Sequence, residues 1–476
     1  DKYLASRHII NLGQIEKDVR YANKRMYKLE KQLLSQVKKS MTRQSFRVAF
    51  RHIRSAVLEH GLTPEQVKAL HEITARGQIK VLSGISGTGK THTLGAARQA
   101  WKNQGYTVIG VSLSGRQTQR LAEQTTKQPN LISELVGTKD QNMTISRLLW
   151  EIERAEKSQR QYGSRSIFKS PLSNKTVVIA DNAQAIGVTQ MKRLVEAVRK
   201  AGAKLVLSGD VCQPQAYSHS GSFSAIAKSV GAAKLTRIQR QEQAITKSIV
   251  KEVAQGDAFS ALETLNEQRL LSISETKDQA LMEIIKEWSV RGMQRPHDHL
   301  LVAHTSDDAE KLNRLAQIKL IDAGILKQTG TRVGRDFIRS GDRVHFQESA
   351  KTYGILRNNR GTVRHIDPVT KLAIVRLDTG KTRAINLRVY SGMTLGYAVT
   401  TPQSKDVEVR HAYLLAEGSG RDSALLQVSR AKTQTKVYAY SVESELEAQL
   451  ELAQKMSWSK QNELSVMMRH EWEQER

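Results

Sequence analysis

The run Val81-Leu82-Ser83-Gly84-Ile85-Ser86-Gly87-Thr88-Gly89-Lys90-Thr91 constrains this chain more than any other stretch. An apolar strand gives way to a glycine-rich loop, and a lysine–threonine pair then opens a helix. Gly84, Gly89, Lys90 and Thr91 satisfy the spacing G-x-x-x-x-G-K-[ST]. The chemistry accounts for the residue types. Gly84, Gly87 and Gly89, with Thr88 among them, let backbone N–H groups close around phosphate oxygens where side chains would obstruct. The helix that follows turns its positive end toward the same anion. Lys90 can reach the β- and γ-phosphates, and the Thr91 hydroxyl can ligate Mg²⁺. The expectation is a nucleoside-triphosphate site in a strand–loop–helix unit.

The surroundings extend that unit into an α/β pattern. Strands are predicted at 79–83, 107–112, 175–180 and 204–208, with helices at 90–103, 116–126 and 188–201. This alternation is that of a parallel sheet with helices on its faces. Residues 127–143 and 157–174 read as loops or small insertions. Before the loop, Thr63 suits an N-cap and Pro64 the first helical position. Residues 14–60 contain no Gly or Pro and carry 12 Lys/Arg against 4 Asp/Glu. Ile15, Val19, Ala22, Met26, Leu29 and Leu33 step by four and three, so one or two long basic helices are expected there. Their stripe would pack on the body of the protein, or else meet a partner helix or a DNA backbone.

A second αβ block starts near Leu235, with a strand at 299–303 and a helix through Leu312 and Leu315. From about 340 to 390, short alternating strands are broken by Gly341-Asp342, Asn358-Asn359, Asp367-Pro368 and Thr379-Gly380, which reads as a small antiparallel barrel. The αβ texture resumes at 393–400, 410–416 and 434–440, and a helical tail follows. Domains are therefore expected at 1–60, 61–232, 233–340 with 391–445, 341–390, and 446–476.

Charge separates the function classes. In 476 residues, 74 Lys and Arg face 47 Asp and Glu, a formal charge of +27. Such a surface attracts polyanions, with nucleic acid the leading partner and an anionic membrane second. The single cysteine, Cys212, excludes a disulfide framework and fits a cytoplasmic location. The 13 His are scattered without metal-ligand pairing. No apolar run approaches membrane-spanning length and no signal peptide opens the chain. It begins at Asp1, which leaves room for an upstream domain.

Five further motifs follow the phosphate loop in order. Val177-Val178-Ile179-Ala180-Asp181 is a strand ending in a carboxylate. Leu207-Ser208-Gly209-Asp210-Val211-Cys212-Gln213 ends in G-D-x-x-Q. Leu235 to Gln241 carries Arg240, Gly396 to Thr400 follows the barrel, and Val428-Ser429-Arg430-Ala431-Lys432 comes last. As an ordered set over about 61–440 they resemble superfamily 1 helicases of the RecD-like, 5′-to-3′ branch. Within it they look most like the helicase half of conjugative relaxases of the TraA/TraI type.

The resemblance implies two RecA-like parallel-sheet domains with an inserted SH3-type β-barrel, helical extensions at both ends, and ATP with Mg²⁺ as cofactors. Single-stranded DNA would cross both domains in a basic groove. Gln66 would read the adenine edge. Asp181 would hold the metal from the strand beside the phosphate loop, and Gln213 would sense the γ-phosphate. Arg240 and Arg430 would act as arginine fingers. Leu113-Ser114-Gly115-Arg116 stands where the family has P-T-G-K, so Ser114 and Arg116 would touch the DNA backbone, as would Thr144, Thr400 and Ser404.

Two departures bear on turnover. The family's Asp-Glu is Asp181-Asn182 here, and an asparagine cannot take the proton of the attacking water, a role worth roughly 10²–10⁴-fold. The family's H-K-S-Q-G is Pro402-Gln403-Ser404-Lys405-Asp406, with only Ser404 kept in place. Three readings stay open: a working helicase or translocase, with Gln184 or a shifted carboxylate as base; a module that binds ATP and single-stranded DNA as a clamp or scaffold in a larger DNA-processing complex; and, less favoured, an RNA helicase. Strand nicking would belong to a relaxase domain upstream of Asp1.

Overall fold

The computed structural model describes residues 6, 8–15, 18–41, 46–125, 141–165, 167–210, 221–405, 407–418 and 420–458. The described residues up to Gln239 form one compact unit, and those from Arg240 form a second.

The first unit opens with an antiparallel pair, β1 (Ile9–Ile15) and β2 (Asp18–Asn23). The expectation of helix from residue 14 is corrected here. Ile9, Ile10, Ile15, Val19 and Tyr21 favour extended pairing, and the stripe counted from Ile15 runs across the break at Asn23. The Asn23 side chain accepts from Arg25 N at 2.9 Å and caps α1 (Lys24–Ser40). Leu33, Leu34 and Val37 of α1 are buried in the body of the unit, so this part of the stripe is core.

Then follow α2 (Phe50–His60), α3 (Pro64–Thr74), β3 (Ile79–Gly84), α4 (Lys90–Asn103), β4 (Thr107–Ser112), α5 (Gly115–Thr125), β5 (Gln141–Thr144), α6 (Ile145–Tyr162), β6 (Thr176–Ala180), α7 (Val188–Ala201), β7 (Lys204–Gly209), α8 (Ser222–Val230) and β8 (Ala233–Leu235). Six strands pair in parallel in the order β5-β4-β6-β7-β3-β8. Alternate residues serve opposite faces. Ile79, Val81, Val178 and Leu205 enter one core, while Leu82, Val177, Ile179 and Val206 enter the other. Sheets covered on both faces read as unbroken apolar runs for this reason. Two expectations change: residues 141–162 hold a strand and a long helix, and β8 joins the first sheet, so the units divide at Gln239 rather than at 232.

In the second unit, α9 (Ala244–Gln255), α10 (Ala258–Glu267), β9 (Leu271–Ser274), α11 (Lys277–Arg291), β10 (His299–Ala303) and α12 (Ser306–Asp322) precede a β-rich insert. The insert comprises β11 (Gly330–Val333), β12 (Asp336–Arg339), β13 (Arg343–Phe346), β14 (Arg360–Asp367), β15 (Leu372–Leu377), β16 (Thr382–Asn386) and β17 (Met393–Leu395). After it come β18 (Ala398–Thr400), β19 (Val409–Leu415), α13 (Arg421–Val428), β20 (Ala431–Tyr440) and α14 (Glu445–Ser457). A parallel sheet runs β18-β10-β19-β20-β9, and the insert is an antiparallel five-stranded sheet, β16-β15-β14-β13-β17, with the hairpin β11-β12 beside it.

The stretch 393–400, where the αβ texture is expected to resume, is divided. β17 completes the insert, β18 returns to the parallel sheet, and Gly396 makes the crossing. A Cβ at Gly396 would lie 2.6 Å from Val344 C, so only glycine fits. Asn313 of α12 secures the return, accepting from Tyr397 N and Ala398 N at 2.8 Å each.

Candidate nucleotide-binding site

The phosphate loop leaves β3 at the carboxyl edge of the first sheet, where ligands of parallel sheets bind. Gly87 and Gly89 hold φ of 90° and 88°, the left-handed region in which a side chain is strained. Gly89 is the N-cap of α4 and has no side chain with which to cap it. Open N–H groups at a helix start are a ready anion site. Lys90 Nζ donates to Gly84 O at 2.6 Å and Ile85 O at 3.0 Å, so its ammonium lies on the loop itself. Thr88 donates its hydroxyl to Ile85 O at 3.0 Å, and Thr91 lies half-buried on the first turn of α4.

Gln66 is buried against this loop. Its Oε1 accepts from Thr63 N at 3.1 Å, completing a capping box at the start of α3, and its Nε2 donates to Thr88 O at 3.4 Å. A Cβ at Gly89 would collide with that amide. Glu65 beside it was missed by the sequence reading. Its carboxylate accepts from Thr236 N at 2.8 Å, Thr236 Oγ1 at 2.7 Å and Arg237 N at 3.1 Å. Burial raises its pKa, but these donors outweigh burial and hold the carboxyl below its usual value. Gln239 N donates to Gly87 O at 2.8 Å, so the segment after β8 is fastened at α3 and at the phosphate loop. A carboxylate in a helix's first turn was the one signal for Glu65.

Asp181 follows β6, with its N–H donated to Val111 O at 3.0 Å. The strand order corrects its expected place. β7 lies between β3 and β6, so Asp181 is two strands from the phosphate loop rather than beside it. Asn182 takes φ 52° and ψ 42°, a left-handed conformation that asparagine tolerates better than most residues. Gln184 is buried, and its Oε1 accepts from Asp210 N at 3.3 Å, tying the end of β6 to that of β7. An amide so held is a strut, and it cannot take a proton in place of a carboxylate. Gln213 and Cys212 lie outside the described residues.

Ser114 and Thr144 emerge from neighbouring strands, because Ser112 pairs with Thr144 in the β4–β5 register. Ser114 is exposed and its hydroxyl accepts from Gln117 N at 3.3 Å; Thr144 caps α6, accepting from Arg147 N at 3.3 Å. Arg116 is the second residue of α5, and its side chain lies outside the description. The site thus has an anion cradle, a cation and a hydroxyl in one place, with a carboxylate two strands away. That donor set suits a triphosphate with Mg²⁺ held partly by phosphate oxygens. Among the described residues no three His, Cys, Asp or Glu gather as a metal cage.

In the second unit, Arg240 pairs with Glu408 (Nη2 to Oε1, 3.1 Å). Arg430 is buried, donating from Nε to Leu426 O at 2.7 Å, from Nη1 to Ser404 O and Val407 O at 3.3 Å each, and from Nη2 to Ser429 Oγ at 2.7 Å. Ser404 is fully buried and gives its hydroxyl to Thr401 O at 2.7 Å. Thr400 is half-buried and donates its N–H to Gln403 Oε1 at 2.9 Å. Ser404, Val407 and Glu408 therefore hold the two arginines, and Ser404 faces inward.

Comparison with known proteins follows this architecture. The AAA domain family model matches residues 61–276, which span the first parallel sheet and continue into the second unit. The chain is 28% identical over 402 residues to the conjugal transfer protein TraA of Agrobacterium fabrum, covering 83% of this chain and 34% of that protein. It is 27% identical over 409 residues to a probable TraA of Sinorhizobium fredii, again covering 34% of the relative. The chain thus spans about a third of the length of the curated relatives it matches. The crystal structure of Pif1 helicase from Candida albicans superposes with a TM-score of 0.52 at 13% identity, covering 87% of this chain and 99% of that one. At that identity the likeness shows a shared fold.

Proposed function

We propose, for a chain whose residues 61–276 match an AAA domain of the RecD/Pif1-like superfamily 1 helicase kind and which is homologous to TraA conjugal transfer proteins over most of its length, an ATP- and Mg²⁺-dependent single-stranded DNA translocase or helicase of 5′-to-3′ polarity, acting in plasmid transfer or related DNA processing. The observation that carries this reading is the conformation of the phosphate loop. Gly87 and Gly89 hold the left-handed φ that a tight glycine-rich loop needs, and Lys90 rests on two carbonyls from which a charged phosphate would draw it. Thr91 and Asp181 would hold Mg²⁺, and Gln66 would meet the adenine at the edge of the loop. Bound Mg²⁺ would polarise the γ-phosphate and neutralise developing charge. Arg240 and Arg430 take the arginine-finger roles by resemblance. Ser114, Arg116 and Thr144 take the DNA backbone by resemblance, with Thr400; the Ser404 carbonyl holds Arg430. An upstream relaxase domain or a larger complex is the partner implied by the longer relatives.

Asn182 favours a second reading: a module that binds ATP and single-stranded DNA with little turnover. Its carboxamide has no basic site for the water's proton. Steady-state ATP hydrolysis with and without single-stranded DNA, for the wild type and Asn182→Glu, separates the two. DNA-stimulated turnover of several per second in the wild type is the outcome expected of a motor. Near-zero turnover restored by Asn182→Glu would establish the second reading. Near-zero turnover in both would point to the 402–406 loop.

A further inference from the structure

On the solvent face of α6, away from the phosphate loop, lies an open cavity of about 640 Å³. That is within the usual range for ligand-sized sites, roughly 300–1,000 Å³. Its wall is a layered stack. Arg154 lies 3.6 Å from the centroid of the Phe168 ring and 5.1 Å from that of Trp150. Arg147 and Lys169 also line it, and Glu151, the one acidic residue among these six, is paired with Arg147 at 2.9 Å. The folding of α6 does not require Trp150. Leu148, Leu149, Ile152 and Ala155 bury the opposite face, whereas Trp150 is 55% exposed. An aromatic ring left in water among three cations costs solvation and is the arrangement that stacks nucleobases and holds phosphates.

Position adds to this. Thr144, a DNA-backbone candidate, is the N-cap of the same helix. Six residues of helix separate it from Trp150, a rise of roughly 9 Å, a distance that one or two nucleotides of a single strand can bridge. We propose that this pocket is a nucleobase-stacking subsite for single-stranded nucleic acid, with Trp150 as the platform and Arg147 and Lys169 on the flanking phosphates. The proposal rests on the single-stranded DNA reading above and adds a place where the strand is held by its bases. Stacking is indifferent to base identity, so the subsite grips without reading sequence.

The test is equilibrium binding of the full chain to oligothymidylate, compared with the same oligomer carrying abasic positions. Trp150→Ala is expected to weaken binding by about 5- to 150-fold, the range of base–aromatic stacking, and Trp150→Phe to keep most of the affinity. Abasic substitution should weaken the wild type but have less effect on Trp150→Ala. Arg147→Ala with Lys169→Ala should flatten the salt dependence, which Trp150→Ala leaves unchanged. The exposed position of Trp150 keeps the variant foldable, and retained cooperative thermal unfolding would verify it. Wild-type affinity in Trp150→Ala would overturn the proposal alone and leave the stack as a clasp on the 167–171 segment. Absence of DNA binding by the wild type would overturn the proposal together with the reading beneath it.

Discussion

In the proposed nucleotide site, Lys90 is the residue on which binding would turn most directly. Its ammonium is held by two backbone carbonyls, Gly84 O and Ile85 O, and truncation removes the only side-chain charge in the loop. Lys90→Ala is therefore expected to abolish ATP binding, read by a fluorescent nucleotide analogue, while leaving salt-sensitive DNA affinity largely intact. Normal nucleotide affinity in the variant would displace the site from this loop. The loop was legible in the sequence because its glycines and lysine answer a local geometric demand. Other residues were less so, since burial decides them and burial is a tertiary property. Ser404 stands where a DNA-contacting motif puts it, yet it is 0% exposed and supports Arg430. Glu65 drew no notice, and it fastens Thr236 and Arg237. In the sequence, Asn182 stands where the resembling family has its base. The structure adds that its backbone is left-handed, so Asn182→Glu brings a modest strain of its own, about 1 kcal/mol.

Among elements, the central strands were the most legible, because strands covered on both faces must be apolar throughout. β3 and β4 and the helices α4 and α7 lie where the alternation placed them. The N-terminal hairpin is obscured by a heptad-like spacing that continues across Asn23, and α6 by the polar stretches on either side of it, although Ile145, Leu148, Leu149 and Ile152 step at helical spacing. β7 contains a charge at its first residue. Lys204 is 0% exposed, donates to Ala75 O at 2.8 Å and Gly77 O at 2.9 Å, and has its pKa pushed down to about 7 by burial, with the nearby charge of Lys80 adding to it. Between about pH 7 and the unfolded value near 10.5, the folded chain binds fewer protons than the unfolded one. Stability therefore rises with pH across that window, and the full cost of burying this group is present below it. Relative to Lys204→Met, the wild type should gain roughly 2–3 kcal/mol in urea unfolding from pH 7 to pH 9.5, on the scale of 1.36 kcal/mol per unit. The carbonyls stranded in the variant lower its stability equally at both values, so the slope is the readout. A constant difference would mean that Lys204 keeps its charge when buried.

At the scale of the whole molecule, two parallel sheets and a β-rich insert were visible in the order of textures along the chain. The division after Gln239 was not, because β8 has only three residues and joins the first sheet by pairing with β3, a long-range fact. Charge, by contrast, needs no fold to be read. A surplus of 27 positive charges over 476 residues opposes compaction by self-repulsion, and a polyanion relieves that repulsion by displacing its own counterions. If single-stranded DNA is that polyanion, affinity must fall as salt rises, with a slope in log–log form near −0.7 for each phosphate neutralised. A strand engaged at four to seven phosphates would give a slope of roughly −3 to −5, which between 50 and 200 mM salt is a loss of roughly 50- to 1,000-fold. Fluorescence anisotropy of a labelled oligothymidylate across that range measures it. ATP affinity, if set as proposed by a local cradle of N–H groups and one lysine, should change far less over the same range. A flat DNA titration beside a flat ATP titration would mean that the basic surface serves something other than a nucleic-acid backbone, and the motor reading would lose its track.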